Sequence, residues 1–578
     1  MINRFPILFR TLCLSPLIAL AACGGSDPVQ DKNSPGFTLG SMNVATAEAP
    51  VVRPSTENTP SPCTVTLFEG KVFGNFSSQT FNYAPQCAGP WAKVVLEADF
   101  SVNAGRQFDR TAHIGLGGVN LFTGTTQEPS AANAASWHIE RDVTDYAPLF
   151  NTAQSGAVDL DNLVDKTYTG ILQGSARLVF YPQAGGVIAR RADMVIGLGS
   201  QSDARPEIVN SDKPFLSKTV TLPRNSVRAF LDVIAQGQSD DEFWYTCTID
   251  SLKDTLQTCG GGALRQVQIS IDDQAAGLAP VMPWMFTGGV SPRLWRPIPS
   301  VQALNFQPYR VDLSPFVGLL NDGKPHTISV GVQSVANYFN LSANLLLYRD
   351  ANAQVVTGRV LSNNLKLDNP TLVDNKIVAG DTPSGNIASS NQTSYRIVGE
   401  IETSNGREQL DVTQTMALSN LQSFVGPRQE FTQAMKLETT STVSTTYSNS
   451  SVKRTINMPL GLVYRDDGTS LLIEMNTGFQ QVARLSHMGR EVYSSDAQSA
   501  MTTSTARANP TATSTSKATQ SQTLTDSNAS CYARRVSAVD AKLTEAIDDK
   551  VCANKSFKDK PWGVTGVEWG DFWLGLIN

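Results

Sequence analysis

The chain has 578 residues, 41% of them hydrophobic and 17% charged, with a net charge of −6. At ~150 residues per domain this length suits three or four domains, and there is too much apolar material for a disordered chain. The diffuse acidity lacks the basic footprint of a nucleic-acid binder, no apolar run reaches the ~18 residues of a membrane span, and four scattered histidines argue against His-rich metal chemistry.

Residues 1–22 read as a secretory signal, with Arg4 and Arg10 ahead of the apolar run Leu12–Ala22. Its end, Leu20-Ala21-Ala22-Cys23-Gly24, resembles the bacterial lipobox, in which lipid is attached to the cysteine thiol and cleavage falls just before it. An ordinary signal peptide that happens to contain a cysteine is the plainer alternative. Gly24 in place of an aspartate favours the outer membrane over inner-membrane retention. Residues 23–62, rich in Gly, Pro, Ser, Asn and Thr, read as a flexible tether. Setting aside Cys13 and Cys23 leaves Cys63, Cys87, Cys247, Cys259, Cys531 and Cys552, an even set that in an exported chain suggests disulfides. Their grouping into local couples points to Cys63–Cys87, Cys247–Cys259 and Cys531–Cys552. No couple has the C-x-x-C spacing of a zinc or redox site.

Beyond the tether, period-two alternation dominates: Val94, Leu96, Phe100 and Val102; Ala176, Leu178 and Phe180; Val267, Ile269 and Ile271; Ile328, Val330 and Val332; Ala343, Leu345 and Leu347. Many short alternating runs broken by Gly, Pro, Asn and Asp indicate antiparallel sandwiches, most simply jelly rolls, rather than βαβ units. The fold class expected is all-β: two packed jelly rolls, 63–205 and 206–350, then a Thr/Ser-rich β region, 351–578, with one short helix. That helix is read from Ser537-Ala538-Val539-Asp540, which matches a capping box, and from the stripe Val539, Leu543, Ile547 and Val551. Trp562, Trp569 and Trp573 read as core.

Familiar catalytic signatures are absent: no G-x-S-x-G, no P-loop, no H-E-x-x-H. Gly115-Leu116-Gly117-Gly118-Val119-Asn120 only approaches a dinucleotide fingerprint and lies among strands. Acidic residues remain. Asp109 and Arg110 lead into an alternating run, where an Arg among apolar positions suggests pairing with a carboxylate. Ser239–Tyr245 ends another run, placing Glu242 and Trp244 on one face, a carboxyl beside a flat ring that suits sugar chemistry. Asp240 and Asp241 read as solvated rim charges.

Several stretches together resemble the peptide:N-glycosidase A family of glycopeptide asparagine amidases: Gly105–Arg110 (GRQFDR), Gly115–Val119 (GLGGV), Thr126–Pro129 (TQEP), Trp137–Asp142 (WHIERD), Asp161–Gly170 (DNLVDKTYTG), Asp241–Tyr245 (DEFWY) and Thr287–Pro297 (TGGVSPRLWRP). The resemblance runs from about Cys63 to Asp350. It implies two jelly rolls side by side with the active site at their interface, and hydrolysis of the amide between an asparagine side chain and the proximal N-acetylglucosamine of an N-glycan. The implied partners are N-glycosylated proteins or peptides, with no metal and no cofactor. Asp109 matches the catalytic aspartate of the related N-glycosidase F type, Glu242 its catalytic glutamate, and Asp165 a supporting acid, although Lys166 stands where type A relatives carry another acid. Arg110 would hold the carboxylate geometry. Trp244, Trp295 and Arg296 would wall the sugar core, with a plug beneath the loop as the alternative for Trp295. Glu128 and Glu140 would orient Arg106 or Arg110. A non-catalytic N-glycan-binding lipoprotein and a glycoside hydrolase are the competing readings.

Overall fold

The computed structural model describes residues 37–548 apart from 52, 55–59, 184–189, 201–202, 427–428, 509–510 and 527–530. The signal, Cys13, Cys23, Cys552 and the three C-terminal tryptophans lie outside the described residues. The first sandwich is built from β1 (Cys63–Phe73), β2 (Gln79–Tyr83), β3 (Trp91–Val102), β4 (Thr111–Leu116), β5 (Val119–Thr125), β6 (Ala135–Asp142), β7 (Gln154–Asp159) and β8 (Leu172–Pro182). Its antiparallel sheets have the orders β1-β8-β3-β6 and β2-β7-β4-β5, the interleaving of a jelly roll. The glycine-rich run after Ile114 is the β4–β5 hairpin, with Gly117 and Gly118 at φ 57° and 77°. Two successive positive φ values are what a two-residue hairpin turn requires, and they account for those glycines without a nucleotide.

The second sandwich contains β9 (Met194–Gly197), β10 (Glu207–Val209), β11 (Phe215–Val220), β12 (Ser226–Gln238), β13 (Gln266–Ile271), β14 (Gln274–Pro280), β15 (Tyr309–Asp312), β16 (His326–Val332) and β17 (Tyr338–Arg349). The orders β10-β17-β12-β15 and β11-β16-β13-β14 repeat those of the first sandwich strand for strand, and β9 adds to the edge of β17. Because β9 pairs with β17, the second unit begins ahead of residue 206, earlier than the sequence boundary. Both faces of β12 are covered, so every residue from Ser226 to Gly237 is buried, Arg228, Asp232 and Gln236 included. The rolls meet where Asn344 Nδ2 donates to the Asn120 carbonyl and the Tyr146 hydroxyl donates to Asp232.

From β18 (Thr357–Asn363) and β19 (Leu372–Asn375) the chain passes into a meander of long strands: β20 (Ser384–Thr403), β21 (Gly406–Val425), β22 (Glu430–Thr445), β23 (Asn449–Asp466), β24 (Ser470–His487), β25 (Arg490–Ala508), β26 (Thr511–Asp526), β27 (Cys531–Val539) and β28 (Lys542–Asp548). Together they form one eleven-stranded sheet among the described residues. Strict alternation of buried and exposed residues runs along β21 and β22, so the Thr and Ser residues mostly occupy a solvated face while Met416, Leu418, Met435 and Leu437 face inward.

Two sequence expectations are overturned here. The helix over Ser537–Val551 is a β27–β28 hairpin up to Asp548, turning at Asp540 and Ala541, both at positive φ. Val539 is 42% exposed while Val536, Ala538 and Leu543 are buried, so a period of two, not 3.6, decides the element. The tether also does not hold for residues 37–51. Ala45 and Ala47 are buried, Ala45 N–H donates to the Pro297 carbonyl, Ala47 N–H to Gln520, and Leu543 N–H to the Ser41 carbonyl. Small residues without a period let this strap lie between the sandwiches and the long sheet. Cys63–Cys87 and Cys247–Cys259 are disulfides as expected, and Cys531 is disulfide-bonded.

Candidate active site

Asp109 lies in the β3–β4 connection, just ahead of β4. Its backbone is fixed by the exit of β5: Arg110 N–H donates to Thr126 Oγ1 (2.8 Å), and Asp109 N–H donates to Glu128 Oε1 (3.1 Å). From the second roll, the β14–β15 connection folds over this pair. An ideal Cβ on Gly288 would sit 2.3 Å from Asp109 Oδ1 and 2.6 Å from Glu128 Oε1, so the two carboxyl oxygens are at most about 5 Å apart. Only a residue without a side chain allows that approach. Burial pushes the Asp109 carboxyl up, against the Gly288 N–H, its own N–H and the Arg110 charge, which pull it down. Glu128, 4% exposed, is raised well above the carboxylate range by burial and then by the Asp109 charge. Two unit charges ~5 Å apart at an effective dielectric of ~20 repel by about 3 kcal/mol, or roughly two pKa units. Both effects favour a proton on the pair, and Glu128 is the less exposed of the two.

The loop over the pair is laced to the first roll. Thr287 Oγ1 donates to the Thr126 carbonyl, Gln127 Nε2 to the Trp295 carbonyl, and Arg296 to the carbonyls of Glu128 and Pro129, with its guanidinium 3.6 Å from the Glu128 carboxylate. Trp295 is 1% exposed and its Nε1 donates to the Gly289 carbonyl. It is the plug beneath the loop rather than a sugar-facing wall, and Arg296 staples the loop to the first roll.

Glu242 lies in the β12–β13 connection, topologically the same connection of the second roll that carries Asp109 in the first. Gln236 and Gln238, at the end of β12, donate to Thr111 Oγ1, two residues past Asp109. Beyond Gln238 the chain leaves the strand: Ser239 takes φ 56°, and 3₁₀ turns cover Ser239–Asp241 and Trp244–Thr246. Glu242 and Trp244 therefore do not share a strand face, and Trp244 is 2% exposed, a core residue. Asp241 is not a rim charge. It is fully buried, paired with Arg265 (2.9 Å) and accepting the N–H groups of Ala336 and Asn337. Phe243 packs against Gly289, whose ideal Cβ would lie 3.2 Å from the ring, so the turn that carries Glu242 lies against the loop that covers Asp109.

Asp165 is exposed and caps a turn, its Oδ1 accepting the N–H groups of Thr167 and Tyr168. Those bonds hold it below its ordinary value. The same segment supplies a different acid, Asp161, whose carboxyl burial pushes up and whose charge is felt by Arg110 and Tyr338. The Tyr338 phenol is raised by burial and then by the charges of Asp161 and Glu242. Asp161 pairs directly with Arg205 (3.1 Å), a contact that nothing in DNLVDK marks. Arg110 acts on Asp109 through its charge; its Nε and Nη2 donate to Gln107. Arg106 and Arg110 flank the tilted rings of Phe108 and Tyr168, with guanidinium carbons 5.4–6.0 Å from the ring centres. Glu140 orients neither arginine; it pairs with Arg53 on the outer face of the first roll.

A family model described as peptide N-acetyl-β-D-glucosaminyl asparaginase amidase A matches residues 50–366. Peptide-N4-(N-acetyl-β-glucosaminyl)asparagine amidase A of Prunus dulcis is 32% identical over 302 residues, 48% of this chain, and the match spans about half (52%) of that protein's length. Among solved structures, a peptide-N(4)-(N-acetyl-β-D-glucosaminyl)asparagine amidase aligns with 51% of this chain and 98% of its own at 13% identity and a TM-score of 0.35. PNGase F, a glycosylasparaginase from Flavobacterium meningosepticum, aligns with 50% of this chain and 96% of its own at 12% identity and a TM-score of 0.34.

Proposed function

Because the chain belongs to the peptide N-acetyl-β-D-glucosaminyl asparaginase amidase A family, we propose that it hydrolyses the amide linking an asparagine side chain to the proximal N-acetylglucosamine of N-glycosylated proteins or peptides. The observation that carries this reading is the convergence of Asp109, Glu128 and the Glu242 turn at the Gly288–Gly289 loop. Asp109 takes a proton from water as its oxygen bonds to the side-chain carbonyl carbon. The C–N bond breaks as the leaving nitrogen, faced by Glu242, takes up that proton, giving aspartate and a glycosylamine and returning Asp109 to its ionised form. Each positioned acid–base group contributes ~10²–10⁴ in rate. Glu128 keeps its proton, so Asp109 ionises without a second charge beside it.

Mass spectrometry of a treated glycopeptide tests the reading. Asparagine converted to aspartate supports it; a single N-acetylglucosamine left on asparagine marks a glycosidase, and an unchanged peptide marks a binder.

The carboxyl pair also sets an expected pH dependence. Both folded pKa values lie above the unfolded ones, so the stability the pair contributes is complete below the ordinary carboxylate range and is lost as pH rises through the folded values. Activity should rise with pH as Asp109 ionises and fall once Glu128 follows. In Glu128→Gln the neighbour is neutral throughout, so the alkaline limb should move to higher pH while the acid limb stays. A pH–kcat/KM profile of both proteins checks this, and coincident alkaline limbs would remove Glu128 from the proton inventory.

Independently of the chemistry, we propose that the chain is an exported lipoprotein, anchored through Cys23 to the bacterial outer membrane. The lipobox-like Leu20–Cys23 supports it. With the chain docked from residue 37 onward, the segment after Cys23 can span at most roughly 50 Å. Mass spectrometry of the N-terminal peptide from membranes, with Cys23→Ser as the comparison, tests the anchor.

A further inference from the structure

We infer that the C-terminal sheet positions the turn bearing Glu242, through Asn420 and Gln422, an inference that rests on the amidase reading above. The family match ends at residue 366, so β20–β28 lie beyond it. On β21 the inward residues include the apolar Met416, Leu418 and Phe424, yet Asn420 and Gln422 stand among them at 1% and 0% exposure. A buried amide is costly there unless it is bonded. Asn420 Nδ2 donates to the Tyr245 carbonyl (2.8 Å), and Gln422 Nε2 donates to the carbonyls of Tyr245 (3.4 Å) and Cys247 (3.1 Å).

Those carbonyls belong to the segment that needs outside donors. Within the turn, Thr246 N–H takes the Phe243 carbonyl and Cys247 N–H takes that of Trp244. Donors from the long sheet complete the accounting at Tyr245 and Cys247. Opposite, Asp241 ties the same turn to Arg265 and to the backbone of Ala336 and Asn337. Glu242 is thus held between the second roll and the long sheet.

The covering loop is gripped in the same way: Gln520 Nε2, on β26, donates to the Pro299 carbonyl (3.1 Å). Inward amides of the long sheet therefore reach both loops that meet over Asp109. They touch no reacting atom and act as positioning residues. A turn released by even ~1 Å is enough to cost about 10²-fold in rate.

The test uses the whole protein carrying Asn420→Ala and Gln422→Ala together, compared with Leu410→Ala, an inward apolar position elsewhere on β21. The double variant is expected to lose between about 10- and 100-fold in kcat, with KM for a glycopeptide within about twofold, and to exchange amide hydrogens faster across 239–247. Leu410→Ala is expected to lower Tm at least as much while kcat stays within about twofold. Unchanged exchange across 239–247 in the double variant would overturn the inference, as would an equal kcat loss in Leu410→Ala. Absence of glycan release by the wild-type protein would fell the amidase reading instead, and the exchange experiment would still decide the positioning.

Discussion

Asp109→Asn is expected to reduce glycan release by at least ~10²–10⁴-fold while the protein folds and binds glycopeptide as before. The amide keeps the shape of the carboxyl and can still accept the Gly288 N–H, so the β3–β4 connection keeps its anchor. What it cannot do is take a proton from water. Stability should hold or rise, because a buried ionisable group that burial disfavours in its charged form is replaced by a neutral one. The measurements are kcat by chromatography of released glycan, glycopeptide affinity by calorimetry, and Tm. Loss of affinity and Tm together with activity would mean that Asp109 is structural. Activity within tenfold of wild type would leave the proton transfer to another group.

How legible this site was depended on which physical signal each residue left in the sequence. The sandwiches announce themselves through period two, since burial of one face writes alternation into every strand, and both rolls then close in the same strand order. That repetition explains why the acids lie so far apart in the chain. Asp109 and Glu242 occupy equivalent connections of the two rolls, as do Glu128 and Gly288, and Asp161 and the approach to Tyr338. Motif resemblance found the first two acids. It did not show that Glu128 accepts the Asp109 N–H, or that the arginine beside it is Arg296, some 170 residues later in the chain, rather than Arg106 or Arg110.

All but one of the misreadings share a cause, and the exception is the hairpin. Val539, Leu543 and Ile547 satisfy a helical period, yet Asp540 and Ala541 adopt the left-handed backbone of a tight hairpin, a conformation Asp takes readily but Ala seldom marks in a sequence. Asp241 looks like one of three surface acids, and only Arg265, 24 residues on, makes it a buried ion pair. Trp244 and Trp295 carry the residue type of a sugar platform, but both are spent on filling the space beneath the loops. Residues 37–51 have the composition of a linker, and their order comes wholly from partners such as Gln520, Tyr532 and Pro297. Apart from the hairpin, whose turn is local, a long-range contact outweighed the local pattern in each case.

Gly288→Ala should be nearly as damaging to turnover as the loss of Asp109, with little effect on the fold. The backbone at Gly288 is not in the left-handed region, so alanine meets no conformational strain. The obstacle is the methyl group itself. At 2.3 Å from Asp109 Oδ1 and 2.6 Å from Glu128 Oε1 it occupies space the carboxyls hold, and neither distance is tolerable. Displacing the loop removes the Gly288 N–H from Asp109, and displacing the carboxyls misaligns the base. Either response should lower kcat by about 10²-fold, the scale of an ångström-level misplacement. Gly461→Ala, where the nearest atoms are 3.9 Å and 4.0 Å away, serves as the comparison and should be silent. A steady-state assay of the two variants separates steric damage at the site from a general intolerance of added methyl groups. Wild-type turnover by Gly288→Ala would mean that the carboxyl pair beneath the glycine plays no part in the chemistry.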